Sequence, residues 1–192
     1  MNGIYDLPTS INIRGANYAI RHDFRPCIDI MLAFEDADLT QEEKVMTMMD
    51  ILYVDRVPVC AEAIQKAYAF LDGQIDGEEQ KDSGAAKRLY TFTQDGKYII
   101  SAVDKVLGYS TRRCEYLHWW EFLSAFLEVG DCLFSTIVNM RRQKNKGNLT
   151  KEERMLWAEN KEIFELRPLL TVQEKKEIEE CKRILSGGGD KG

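Results

Sequence analysis

The sequence predicts a mainly α-helical protein, a multi-helix domain with a small N-terminal β-hairpin, and three observations carry that expectation. From Trp119, the residues Leu123, Phe126, Gly130, Leu133, Ile137 and Met140 follow at steps of four and three, which places them on one helical stripe. Thr40 to Glu43 and Thr150 to Glu153 both read Thr-x-x-Glu, the form in which hydroxyl and carboxylate cap each other's backbone at a helix start. Ile11 and Ile13, then Tyr18 and Ile20, alternate loosely around a Gly/Asn turn and predict two short paired strands. A lone hairpin is marginal in water, so it should lie against helices.

The first helix is expected to start at Asp23 as N-cap, with Pro26 in its first turn. It carries Ile28, Met31, Leu32, Ala33 and Phe34 and should stop near Asp38. The second enters through the Thr40 box and runs through Val45, Met48, Met49 and Leu52. Pro58 should open a third, which carries Ala61, Ile64, Tyr68 and Leu71 and closes at Gly73.

From Asp72 to Lys87 the composition turns to acids and small residues, DGQIDGEEQKDSGAAK, with almost nothing to bury, and a flexible linker is expected. Tyr98, Ile99, Ala102, Val103 and Val106 then follow helical spacing up to Gly108. In the central stretch a second set, Tyr116, Trp120, Leu127, Phe134 and Val138, widens the apolar arc beyond what a surface helix needs, so this helix should be covered from more than one side. Gly130-Asp131 is its weak point, but the stripe keeps phase across the pair and predicts one long, kinked helix. The basic run from Arg141 to Lys146 complements the carbonyl end of that helix, and Gly147 ends it. The Thr150 box opens a helix through Met155, Leu156 and Phe164. Pro168 interrupts, and Val172 to Leu185 forms a last, strongly charged helix. The expected division is a hairpin with helices over 1–73, an acidic linker over 74–91, a central helical layer over 92–147, C-terminal helices over 148–185 and a disordered tail over 186–192.

With 44% apolar residues in a chain of 192, a real core can form. A formal charge of -6 argues against holding nucleic acid by a general electrostatic field, because phosphate neutralisation needs surplus Lys and Arg. The N-terminus has no basic region followed by an apolar one, and no apolar window is long enough for a membrane span, which predicts a soluble, unexported chain. The five cysteines are odd in number and never arranged as CxxC, which predicts reduced, mostly buried thiols.

Chemistry-bearing patterns are sparse. Cys114 and His118, four apart, would share one helical face, but two ligands are half a metal site, and no second pair is near. His118 is expected instead to pack beside Trp119 and bond a neighbour through its polar edge. No base, orienting acid and oxyanion donors accompany a cysteine nucleophile, and no phosphate-cradling loop precedes a helix. Neither Arg112-Arg113 nor the run after Met140 interleaves aromatics as stacking platforms do. These patterns give no metal, no cofactor and no active site. The physical reading is an interaction protein built from amphipathic helices.

Asp95-Gly96-Lys97-Tyr98-Ile99-Ile100-Ser101-Ala102, Gly108-Tyr109, Leu117-His118-Trp119-Trp120-Glu121-Phe122 and Arg141 form a specific pattern. Tyr18, Asp23-Phe24-Arg25 and Leu39-Thr40-x-Glu42-Glu43-Lys44 extend it upstream. Over residues 10 to 145 the chain resembles the bacteriophage gp-fifteen family. The resemblance implies a non-enzymatic protein of long-tailed phages or prophages, encoded between the tail-tube and tape-measure genes and acting in the host cytoplasm. Its expected role is a tail assembly chaperone that keeps the apolar tape-measure protein soluble, with the tail-tube protein and a second copy of itself as further partners. A structural tail component retained in the virion and a small nucleic-acid-binding protein are the alternatives. Within the motif, Tyr98, Ile99, His118, Trp119 and Phe122 are expected to be structural, and Trp120, Arg141 and Arg142 to contact a client.

Overall fold

The computed structural model describes residues 5–73 and 88–187. The linker expected over 74–91 lies mostly outside these residues, as does most of the expected tail. The hairpin forms from β1 (Ser10–Ile13) and β2 (Ala16–Ala19), antiparallel with Ile11 opposite Tyr18 and Asn12 opposite Asn17. Its turn is Arg14-Gly15, both with positive φ, 51° and 84°, the mirror-image geometry that matches strand twist. Ile11 and Ile13 face inward on β1, which lies against α3 (Ala61–Leu71). That contact supplies the apolar cover a lone hairpin lacks.

The remaining helices are α1 (Phe24–Glu35), α2 (Gln41–Leu52), α4 (Phe92–Leu107), α5 (Trp119–Leu127), α6 (Leu133–Lys146), α7 (Lys151–Glu159), α8 (Lys161–Phe164) and α9 (Val172–Gly187). Asp23 caps α1 by accepting from the Arg25 N–H. Both threonine boxes form at the starts of α2 and α7. α1 ends at Glu35, ahead of Asp38. Pro58 lies in the loop before α3, whose N-cap is Cys60.

The long central helix expected from Trp119 onward is two helices. α5 ends at Glu128, whose N–H turns back to the Ser124 and Phe126 carbonyls, and α6 begins from Cys132, whose N–H and Sγ exchange hydrogen bonds with Ser135. Gly130, between the two helices, does not take a left-handed conformation. After the break α5 packs into the main core alone, whereas α6 reaches two: Phe134 joins the main core, and Ile137 and Met140 form a smaller one. Leu127 and Leu133, which the unbroken stripes would have buried, are exposed at 81% and 52%. The helix expected from Thr150 to Phe164 likewise breaks at Asn160 into α7 and α8. Ser186 and Gly187, assigned to a tail by composition, belong to α9.

The main core is shared by the hairpin and α1 to α6, and a second, smaller one gathers Ile137, Met140, Leu149 and Phe164. Around Phe122 the main core is aromatic: Phe24 and Trp119 stack on its ring at centroid distances of 5.2 and 5.5 Å. Two short bridges set the helix entries. Ile20 pairs with Tyr53, and Asp23 pairs with His118 through Phe24 N–H to Leu117 O and Trp119 N–H to His22 O. α1 and α5 therefore start from one shared bridge.

Candidate interaction surface

α5 opens with its N-cap. His118 is fully buried, and its Nδ1 accepts from the Trp120 N–H at 3.0 Å while Nε2 donates to the Pro8 carbonyl at 3.1 Å. The Glu121 carboxylate accepts from the His118 N–H, completing a capping box with histidine in the place of Ser or Thr. Nδ1 accepts only in the neutral ring, and burial, with the His22 ring stacked at 5.3 Å, pushes the His118 pKa down. Cys114 and His118 do not share a helical face, because the chain between Gly108 and α5 is a loop. Cys114 Sγ donates to Thr111 O, and Arg25 donates to Cys114 O.

The two indoles after His118 clamp the end of α3. Trp119 Nε1 donates to Leu71 O and Trp120 Nε1 to Phe70 O, both at 2.8 Å. Trp119 is buried, whereas one side of Trp120 is open, and its ring lies over Phe70 at 6.0 Å. The other expected motif positions divide in the same way: Ile99 and Phe122 are buried and Tyr98 is half-buried.

Beside Trp120 runs an apolar groove of about 390 Å³ whose walls include Met31, Tyr90, Leu123, Phe126 and Leu127. Tyr90 packs edge-on against both Phe126 and Phe134, which stiffens one wall. Trp120, Leu123, Ser124 and Leu127 line it at helical steps of three and four, forming a seam along α5. Asp72 also lines it, and burial pushes its carboxyl pKa up. The site thus offers a rigid aromatic and aliphatic trough and no paired acid and base. Among the described residues no group of three His, Cys, Asp or Glu side chains could hold a metal, and no helix is long and apolar enough to cross a membrane.

Arg141 stands elsewhere. It is 3% exposed and bonded on all sides, so it presents no surface to a client; Arg142, next to it, is on the surface. The buried position has a cause: Asp95 on α4 draws the guanidinium inward, with Oδ2 2.6 Å from Nη1. Leu127, Tyr90 and Asp72 were not singled out from the sequence. Leu127 had a signal, since it follows Trp120 by seven residues, but its openness depends on the break after α5. Tyr90 and Asp72 flank the segment of 74–87, and their convergence on α5 is tertiary.

A larger cleft of about 660 Å³ lies between the end of α1, the start of α4 and residues 162–175. Part of its polar lining is engaged: Gln94 bonds Glu165 O and Arg167 N–H, and Glu35 accepts from the Phe92 and Thr93 N–H groups. The Gln94 bonds tie residues 165 and 167 to α4.

No curated protein and no solved structure matches the chain. Residues 4–166, from ahead of the hairpin to just past α8, match the family model described as Bacteriophage Gp15 protein, and α9 lies beyond the matched stretch. With the match covering the hairpin, both cores and the groove, this chain belongs to the Bacteriophage Gp15 protein family.

Proposed function

We propose that this protein is a phage tail assembly chaperone, which binds an apolar stretch of the tape-measure protein in the α5 groove and keeps it soluble before the tail tube forms around it. The observation that supports this most directly is Leu127, 81% exposed on a groove whose lining includes Trp120, held by its bond to Phe70 O, and Phe126. Leu127 is not isolated but continues the apolar lining formed with Leu123 and Phe126, and a client that fully buries such a side chain gains about 1.5–3 kcal/mol. The fixed indole of Trp120 adds a rigid anchor of the type that dominates binding energies. A net charge of -6 carries solubility to a client that lacks it. In this reading the protein binds and performs no chemistry, and it acts in the host cytoplasm.

Co-expression with the tape-measure protein of the same phage, followed by size exclusion with light scattering, tests the proposal. A soluble co-eluting complex, from a client insoluble when expressed alone, is the expected result. A client that stays insoluble while this chain elutes unaccompanied would overturn it, and recovery of the chain in purified virions would then assign it to the tail itself.

A further inference from the structure

We infer that the corner formed by the end of α6 and the start of α7 is a second docking surface, which takes an acidic segment of another protein through Arg142, Lys144, Lys146, Lys151 and Arg154. None of these residues lines the groove beside Trp120, so the inference is independent of what that groove holds.

Charge comes first. Residues 142–154 carry five cations and two acids, in a chain whose formal charge is -6. All five cations are exposed, and among the described residues none forms an ion pair with a carboxylate. Helix electrostatics account for only some of them. Lys144 and Lys146 stand in the last turn of α6, where the carbonyl end of the helix favours cations. Lys151 and Arg154 stand in the first turn of α7, where the same field disfavours them. A partner outside the helix gives these two cations the role that α7 itself does not. The two sets share one corner, because Lys144 Nζ rests 5.0 Å over the Trp157 ring and ties the end of α6 to α7. Apolar groups complete the surface: Lys151 and Met155 share one face of α7 at a spacing of four, and Met155 and Leu156 are both exposed. Carboxylates beside apolar side chains on a partner segment match this arrangement. Two other occupants fit less well. A nucleic acid would seek an open aromatic face, but Trp157 is stacked on Phe164 at 5.8 Å and covered by Lys144. A second copy presenting the same corner would set like charge against like.

Fluorescence anisotropy with the full chain at low salt tests this with three labelled probes. They are a peptide of roughly 18 residues, about five helical turns, carrying leucines and glutamates; the same peptide with lysines for the glutamates; and a single-stranded oligonucleotide. The glutamate peptide should bind about tenfold more tightly than the lysine peptide, and should weaken as salt is raised. Lys151→Glu combined with Arg154→Glu should weaken the glutamate peptide about tenfold, since two exposed pairs each contribute roughly a factor of three to five. The helical signal should hold in this variant, because acids suit the start of α7. Lys175→Glu combined with Lys176→Glu makes the same charge change on α9, and should alter the affinity by about twofold or less. Equal affinity for the two peptides overturns the inference. So does an equal loss in the two charge-reversed variants, which would assign binding to the overall field. An oligonucleotide that binds more tightly than the glutamate peptide, and is weakened by the α7 variant, overturns it in favour of nucleic acid. Self-association of the parent that the α7 variant abolishes overturns it in favour of a second copy.

Discussion

The Asp95 carboxylate and the Arg141 guanidinium meet fork to fork, at 2.6 and 3.1 Å, although they lie 46 positions apart in the chain. The remaining N–H groups of Arg141 donate to the carbonyls of Leu89, Ile163 and Phe164. One side chain thus ties α4, α6, the chain ahead of α4 and the end of α8 together. It also lies where the two cores meet. Such a pair is costly to desolvate, so its net contribution is small compared with the cost of breaking it.

Arg141→Met should therefore destabilise the fold by about 3–5 kcal/mol, because it leaves a buried carboxylate with no countercharge and only the Thr91 N–H as donor, and three carbonyls without the donors they had. Asp95→Leu combined with Arg141→Met removes the lone charge but not the orphaned carbonyls, and should recover only part of the loss. Urea denaturation of the single and double variants measures both. A single variant within about 0.5 kcal/mol of the parent would show that the network is dispensable.

The contrast between Arg141 and Trp120 shows what the sequence could and could not convey. Local signals transferred well: Thr40 and Thr150 cap their helices, Asp23 caps α1, and Gly108 and Gly147 end α4 and α6 with φ of 76° and 74°. These depend on neighbours three or four residues away. The break between α5 and α6 was missed because Leu133, Ile137 and Met140 keep helical phase with Trp119, and periodicity cannot report that Phe122 and Ile137 serve separate cores. Arg141 was read as a surface cation because its run, Arg141 to Lys146, is basic throughout. Only Asp95, across the fold, distinguishes it from Arg142. The groove was illegible for the same reason, since its walls come from residues 31, 90 and 120–127.

His118 gives the fold a pH dependence whose sign follows from its hydrogen bonds. Burial lowers its folded pKa below the ordinary value near 6.5, so between those two values the unfolded chain binds more protons than the folded one. Stability is then complete above about pH 6.5 and falls as pH drops toward the folded pKa, where the protonated Nδ1 can no longer accept from Trp120. His118→Asn keeps a cap acceptor without titrating. Thermal melts between pH 7.5 and 5 should show a decline in the parent that is reduced in this variant. An identical decline in both would assign the effect to other groups.

Gly73 is the position where backbone conformation and packing constrain each other. Its φ is +75°, and a Cβ there would meet Leu123 Cδ1 at 3.3 Å. Gly73→Ala should destabilise by about 1–2 kcal/mol from the left-handed conformation, with a smaller addition from the displaced leucine. Gly108→Ala is the control, because its φ is +76° but a Cβ would meet nothing within 4 Å. Chemical denaturation should therefore rank Gly73→Ala below Gly108→Ala, and client binding should change only in the former, since Leu123 lines the groove. Equal losses would mean that Leu123 yields at no cost.

Trp120 and Leu127 separate folding from binding. Trp120 stacks on Phe70 and donates to its carbonyl, so Trp120→Ala should cost about 2–4 kcal/mol of stability along with any binding. It is an ambiguous probe for that reason. Leu127 is 81% exposed, and Leu127→Glu should leave stability within about 0.5 kcal/mol of the parent. If the groove holds the tape-measure protein, Leu127→Glu should still remove most of the soluble complex, because a charge on the wall must be desolvated when a client docks. The decisive comparison is soluble client recovered per folded chaperone in the two variants. Loss with Trp120→Ala but full recovery with Leu127→Glu would move the contact off the groove and onto a surface that depends on α5 only through the fold.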